Sequence, residues 1–219
     1  MAAASDSMLV LGTTNAGKLR ELADLLEPLD ISCRSLAGLT DAVEVEETGT
    51  SFAENAALKA GQQARALGRW VLAEDSGLVV DALDGAPGIH SARFSGVEKT
   101  ADRDERNNDL LLERLADRTG HGRSAHYACH AALADPTGRI MAESHGICGG
   151  TIAASRQGAG GFGYDPLFIV PEYHRTFGEL SPAVKRLISH RGRAMRAIIP
   201  AIVRLLGPAA TAGRPEAMP

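Results

Sequence analysis

Two short acidic clusters are the first residues that could do chemistry: Glu46-Glu47 and Glu74-Asp75. The second cluster interrupts the apolar segment WVLAEDSGLVV, residues 70–80, where charge costs stability unless a cation or a basic side chain compensates it. Carboxylates separated by one predicted helix suit a hard divalent cation whose shell is completed by water. For each cluster taken alone, a solvated strand end or loop is the alternative.

The segment GTTNAGKL, residues 12–19, has the glycine and lysine spacing of a Walker A phosphate loop. Leu19 stands where that motif needs a Ser or Thr hydroxyl for magnesium, which disfavours a true P-loop. A less specific anion site remains a candidate, because the N–H groups at a helix N-terminus attract phosphate. The side chains of Thr13, Thr14, Asn15 and Lys18 would contribute to this site. The alternative is that Thr and Asn only cap the helix.

The glycine-rich segment GGFGYDP, residues 160–166, contains Phe162, Tyr164 and Asp165. Its aromatic rings offer a stacking surface for a planar base. A tight hairpin loop that needs glycine backbone angles is the alternative.

Basic side chains are concentrated near two predicted helix starts. Lys185 and the segment SHRG, residues 189–192, lie where a helix N-terminus already favours anions. Lys59 follows Asn55 by one helical turn, so the two share a face that could line a site or could be ordinary exposed surface.

Alternating strand and helix patterns must position these groups. Residues 8–11 predict a short strand, and the leucines at 19, 22, 25 and 26 predict the helix that follows. Ser51 with Glu54 predicts a capping box, and Gly68 predicts the end of that helix. Strand segments at 70–73 and 78–81 are predicted to flank the carboxylate break.

The second half of the chain predicts a hairpin and further helices. The alternating segment 125–133 and the turn DPTG, residues 135–138, are typical of antiparallel strands. Helices are predicted from Thr100, from Ser181 and through 189–206, with a kink near Arg196 caused by Pro200. The pattern therefore predicts an α/β fold with a mixed sheet.

The composition is that of an ordinary globular protein of 219 residues with 44% hydrophobic residues. A net charge of -4 argues against binding to nucleic acid or an anionic membrane through bulk charge. The three cysteines have no disulfide-framework spacing, so a reducing compartment, the cytoplasm, is expected. We expect a disordered extension at 1–7, a single domain at 8–206 and a flexible tail at 207–219.

Five motifs in this order resemble the dITP/XTP pyrophosphatase family, the inosine triphosphatase-like nucleoside triphosphate pyrophosphohydrolases. They are TTNAGK, EETGTSFAENAALKA, AEDSGLVVDALDGAPGIHSARFSG, GGFGYDPLF and SHRGRAM. The resemblance covers residues 9–206 and implies an elongated mixed sheet flanked by helices, with two lobes around a substrate cleft. It also implies a cytoplasmic homodimer that uses Mg²⁺ to cleave the purine nucleoside triphosphates ITP, dITP and XTP to the monophosphate and pyrophosphate.

The resemblance implies a role for each matching residue. Asp75 would be the catalytic proton acceptor and a metal ligand, and Glu46, or else its neighbour Glu47, would be the second metal-associated carboxylate. The substrate-binding residues would be Thr13, Thr14, Asn15, Ala16, Gly17, Lys18, Lys59, Ser76, Arg93, Phe162, Gly163, Tyr164, Asp165, Lys185, His190 and Arg191.

Three residues raise a second hypothesis. Thr14 replaces a frequent glycine, Glu74 replaces the first Asp of the more usual bacterial pair, and Pro200 interrupts the last helix. A nucleotide-binding regulatory protein with weakened catalysis is therefore the alternative function.

Overall fold

The computed structural model describes residues 8–29, 31–96 and 100–207. The extension predicted at 1–7 and most of the tail predicted at 207–219 lie outside these ranges. Gly207 is described: it is buried, and its N–H donates to the carbonyl of Val203 at the end of the last helix. No helix within these ranges is both long enough and apolar enough to cross a bilayer.

Seven strands form a single sheet. They are β1 (Leu9–Leu11), β2 (Cys33–Ser35), β3 (Trp70–Val80), β4 (Ser124–Ala134), β5 (Ile140–Ile152), β6 (Phe168–Val170) and β7 (Arg175–Thr176). The spatial order is β2-β1-β3-β4-β5-β6-β7, with β1 parallel to β2 and β3 and the other neighbours antiparallel. The predicted α/β class with a mixed sheet is confirmed.

Five α-helices accompany the sheet within the described residues. They are α1 (Ala16–Leu26), α2 (Phe52–Leu67), α3 (Arg103–Arg114), α4 (Pro182–Ile188) and α5 (His190–Leu206). The Ser51 side chain accepts from the Glu54 N–H and Gly68 ends α2 in the left-handed conformation, as predicted. The Glu54 carboxylate, however, accepts from the N–H of Thr50, one residue before the predicted capping-box partner. Helix α5 continues through Pro200 to Leu206.

The predicted carboxylate break in the central strand is wrong. β3 runs without interruption from Trp70 to Val80, and Glu74, Asp75 and Ser76 are paired with β4. The prediction treated adjacent charges as incompatible with a buried strand, but Lys18 and Arg191 pair with Glu74, and Lys59 pairs with Asp75. Tertiary ion pairs therefore override the local preference.

The long β4–β5 hairpin predicted from alternation and the DPTG turn is confirmed. The Asp135 carboxylate accepts from the N–H groups of Thr137 and Arg139, which closes the turn. Strands β2 and β7 were not predicted, because two or three residues carry too little alternation to be recognised.

Each face of β3 packs on different helices. Leu72 faces a core cluster with Leu22 of α1 and Ile198 of α5. Its neighbours Val71 and Ala73 face the alanines of α2 instead. Because side chains alternate along a strand, this pattern fixes which face each following residue of β3 presents.

Candidate active site

Glu74 and Asp75 lie in the middle of β3 and point to opposite faces of the sheet. Glu74 continues the face of Leu72, toward α1 and α5, and contacts Lys18 and Arg191 there. Asp75 faces α2 and contacts Lys59. The two carboxylates therefore belong to two separate ion-pair clusters.

Among the described residues, no strand pairs with one edge of β3 beside Glu74 and Asp75. Strand β1 ends at Leu11, opposite Leu72, and the next contact on that side comes where the Leu78 N–H donates to Ser91 Oγ at 2.9 Å. Backbone groups alternate in direction along a strand, so those of Glu74 and Ser76 point toward this gap. Polar backbone and carboxylate groups from both faces can therefore meet a ligand at the gap.

The Glu74 cluster contains two basic side chains. Glu74 Oε1 lies 3.2 Å from Lys18 Nζ and 3.2 Å from Arg191 Nε, and Arg191 Nη2 donates to Ser76 Oγ at 2.8 Å. Burial alone would raise the pKa of Glu74, but Arg191 and Lys18 hold it well below its usual range. Glu74 is therefore an anion that anchors Lys18 and Arg191 at the gap.

The Asp75 cluster joins two segments through Lys59. Lys59 Nζ contacts Asp75 Oδ1 at 2.8 Å and Glu47 Oε1 at 3.0 Å, and Asn55 Nδ2 donates to Asp75 Oδ2 at 3.4 Å. Burial raises the pKa of Asp75, and the opposing attraction of Lys59 does not cancel this effect. A carboxylate with a raised pKa is a stronger proton acceptor once it is ionised.

The structure distinguishes the two candidate carboxylates at positions 46 and 47. Glu47 pairs with Lys59 and, at 3.5 Å, with Arg93. Glu46 is exposed and forms no ion pair with another described residue. The contacts thus place Glu47 in the Asp75 cluster, whereas Glu46, the first choice from sequence, is not brought to Asp75.

The loop 13–15 and the first turn of α1 follow directly after β1. Asn15 caps α1, since its Oδ1 accepts from the Lys18 N–H at 3.0 Å, and Thr13 Oγ1 accepts from the Asn15 N–H. The N–H groups of Ala16 and Gly17 have no partner within the helix, as is usual for a first turn. Thr14 is exposed. Asn15 therefore caps α1, while the predicted anion site stays a prediction, for which the first-turn N–H groups and Lys18 are available at the edge of β3.

The ring of Phe162 lies beside these groups. A methyl group on Gly17 would come within 2.6 Å of Phe162 Cδ1, which shows how closely the ring approaches α1. Two basic groups also lie near the ring: Lys185 Nζ is 4.8 Å and Arg191 Cζ 5.7 Å from its centroid. Lys185 is itself held by Asp165 at 2.6 Å.

Two of the predicted substrate-binding side chains, those of Tyr164 and His190, are buried and contact other residues of the protein. Tyr164 is buried, and its hydroxyl donates to the Ser91 carbonyl at 2.8 Å. His190 is buried and stacks on Tyr127 at 4.5 Å between ring centroids. Burial and the charges of Arg191 and Lys185 hold the pKa of His190 well below its usual range, so the imidazole is neutral.

Sequence reasoning missed Glu21. Its carboxylate bridges the site, with Oε1 2.6 Å from Lys185 Nζ and Oε2 hydrogen-bonded to Arg191 Nη1. The partners are 164 and 170 residues away in the sequence, so no local pattern could reveal them. An acidic residue one turn after Lys18 on α1 is the only signal that the sequence offers.

A groove of about 640 Å³ lies between α3 and the glycine-rich loop. Phe162 and Gly163 line it, but Glu74 and Asp75 do not. Glu74 instead contacts Lys18 and Arg191, which come from α1 and α5. We therefore locate the candidate site from the charged groups and the open strand edge.

The site and the sheet together define an α/β protein with paired carboxylates, clustered basic groups and a helix N-terminus at one strand edge. The chain belongs to the Ham1 family, whose family model matches residues 9–201. This match, together with the relatives below, confirms the family predicted from the five motifs.

The chain is similar to curated and solved proteins over most of its length. It is 52% identical to a dITP/XTP pyrophosphatase of Rhodopirellula baltica over 198 residues, covering 90% of this chain and 94% of that protein. A dITP/XTP pyrophosphatase of an Exiguobacterium species is also 52% identical, with 86% and 93% covered. The solved HAM1 protein of Coxiella burnetii matches with a TM-score of 0.79 and 38% identity, covering 89% of this chain and 98% of that one.

Proposed function

We propose that this protein is a nucleoside triphosphate pyrophosphohydrolase that converts ITP, dITP and XTP to the monophosphate and pyrophosphate. The observation that carries the proposal is the open edge of β3, where Asp75 and the cluster of Lys18 and Arg191 approach one gap from opposite faces. The family and the dITP/XTP pyrophosphatases named above support the same reaction. Removal of these nucleotides would sanitise the nucleotide pool.

Each cluster has a distinct role in this proposal. The N–H groups of Ala16 and Gly17 and the ammonium of Lys18 receive the triphosphate, with Thr13, Thr14 and Asn15 shaping that turn. Asp75 accepts a proton from the attacking water, whose oxygen bonds to the α-phosphorus as the bond to the bridging oxygen breaks and pyrophosphate leaves. Ser76, Lys59 and Arg93 bind the substrate at the margins of the same gap.

The donor set at Asp75 fits magnesium. Mg²⁺ typically takes one or two protein carboxylates, water and substrate phosphates. Asp75 and Glu47 would hold it, and Lys59 lies between these two carboxylates. In the described residues no three His, Cys, Asp or Glu side chains converge on one point, in keeping with a site that water and substrate complete. When bound, the cation would offset phosphate charge.

The purine would stack on Phe162, close to Lys185 and the neutral His190. Nδ1 of His190 is buried and has no hydrogen-bond partner among the described residues. A polar group in that position can select a 6-oxo purine over a 6-amino purine, since an unpaired buried group penalises the wrong base. Gly163, Tyr164 and Asp165 hold Phe162 in position, and Arg191 adds a positive charge near the ring.

Two further features belong to the proposal. We expect a homodimer that works in the cytoplasm, without a nucleic acid or membrane partner. Sedimentation at several protein concentrations would measure the oligomeric state.

Product analysis tests the reaction. Incubation with ITP and Mg²⁺ should give IMP and pyrophosphate in equal amounts, and ATP should be turned over much more slowly. IDP with orthophosphate would reject the proposal, and tight ITP binding without turnover would select the regulatory alternative. Strong ATP turnover dependent on Lys18 would favour a P-loop ATPase.

A further inference from the structure

Helix α3 contacts the glycine-rich loop at the residue after Phe162. The Gly163 N–H donates to Asp104 Oδ2 at 2.8 Å, and the Gly163 carbonyl accepts from Asn108 Nδ2 at 3.0 Å. Asp104 and Asn108 are one helical turn apart, so they grip the same glycine from one face of α3. We name this pair of contacts the α3 clamp.

The clamp complements a hydrogen bond on the other side of Phe162. The Phe162 N–H donates to Asp165 Oδ2 at 2.8 Å, and Asp165 is held by Lys185. The amides before and after the Phe162 Cα are therefore each bonded to a carboxylate. Two fixed amides restrict both backbone torsions of Phe162, and hence the direction of its ring.

The backbone of the loop explains why such a clamp is needed. Gly163 has φ +61 and Gly161 has φ +76. Glycine adopts positive and negative φ about equally well, so the glycine backbone does not by itself favour this loop conformation. A loop of this kind must be ordered by external contacts, because its own side chains fix little. Asn108 is buried and 3% exposed, so its contact with Gly163 is protected from water.

We propose that Asp104 and Asn108 are positioning residues that set the purine-stacking ring of Phe162. The proposal rests on the proposed function, in which Phe162 receives the base. In this proposal both residues act through the backbone of Gly163 and not through a contact with the base. Loss of the clamp should therefore weaken binding of the base while leaving the phosphate site and the Asp75 chemistry intact.

The test uses two variants, Asp104→Ala and Asn108→Ala. Alanine is a good helix former, and position 104 is half-exposed, so Asp104→Ala should leave α3 intact. Asp109→Ala is the matched control, since it removes a carboxylate from the same helix whose partner is Arg156. We expect Asp104→Ala to raise the KM for ITP about tenfold, in line with a lost hydrogen bond to a charged group, with kcat nearly unchanged. Inhibition by inorganic tripolyphosphate, which has no base, should not change.

A double variant separates positioning from general weakening of the fold. In a Phe162→Ala background, Asp104→Ala should raise KM no further, because there is no ring left to position. An unchanged KM in both clamp variants, a loss confined to kcat, or an equal effect of Asp104→Ala with and without Phe162 would overturn the inference. Calorimetric binding of IMP to the wild type and Asp104→Ala gives the same comparison without turnover. Failure of the wild type to hydrolyse ITP would instead contradict the proposed function.

Discussion

Glu74 and Asp75 are neighbours on β3, yet their carboxylates lie on opposite faces of the sheet and have pKa values shifted in opposite directions. Glu74 meets Lys18 and Arg191, which more than offset its burial. Asp75 meets Lys59, which does not. The geometry thus separates an anchoring anion from a proton acceptor within one dipeptide.

Substitution of Asp75 should remove catalysis and spare the fold. Asp75→Asn keeps the shape of the side chain but cannot accept the proton from water, so kcat should fall by about 10³-fold or more. Steady-state kinetics with ITP measure the loss, and thermal unfolding reports whether the fold is retained. Asp81→Asn, at an exposed position just after β3, is the control. Activity retained in Asp75→Asn would move the proton acceptor elsewhere.

Substitution of Glu74 should instead be costly for stability. Glu74→Gln leaves Lys18 without its counter-charge and the buried Arg191 with Glu21 alone, so the loss should approach but not exceed the about 3–5 kcal/mol of a fully uncompensated buried charge. The free energy of unfolding in urea measures this change. Glu113→Gln, on the exposed side of α3, should shift the midpoint very little. Equal stability of Glu74→Gln and wild type would show that the cluster is not an anchor.

The Glu21 bridge predicts a loss of stability in acid. Burial would raise its pKa from 4.5, but Arg191 and Lys185 bring it below that value. A group with a lowered folded pKa stabilises the protein fully above its unfolded pKa, and this contribution is lost as pH falls through the folded pKa. Below pH 4.5 the unfolding free energy should therefore decline less steeply in Glu21→Gln than in the wild type. Parallel pH profiles would contradict the ion pairs at Glu21.

A methyl group at Gly17 should displace the Phe162 ring, on which the base is proposed to stack. It would lie 2.6 Å from the Phe162 ring, so the ring must move. Gly17→Ala should raise the KM for ITP several-fold with a smaller effect on kcat, as expected for weakened binding. Gly149→Ala is the control, because the space around Gly149 is open. An unchanged KM would separate Phe162 from substrate binding.

Local chemistry explains what the sequence predicted well. Ser51 and Gly68 bound α2 because side-chain capping and a left-handed glycine are decided within a few residues. The β4–β5 hairpin follows likewise from alternation and the Asp135 turn. The roles predicted for Asp75, Lys18 and Phe162 come from short motifs and stay predictions.

Several of the errors involve partners that are distant in the sequence. The sequence predicted a break within 70–80 because no local pattern reveals Arg191. This residue is 117 positions away from Glu74 and pairs with its carboxylate. The bridge at Glu21 and the clamp on Gly163 likewise join segments separated by more than 50 residues. Such contacts depend on how the helices pack on the sheet, and hydrophobic periodicity does not encode them.

The central claim is that water attacks the α-phosphorus of a bound nucleoside triphosphate. Hydrolysis of ITP in ¹⁸O-labelled water, followed by mass spectrometry of both products, tests it most directly. The account predicts one labelled oxygen in IMP and none in pyrophosphate. Label in pyrophosphate, with unlabelled IMP, would contradict it.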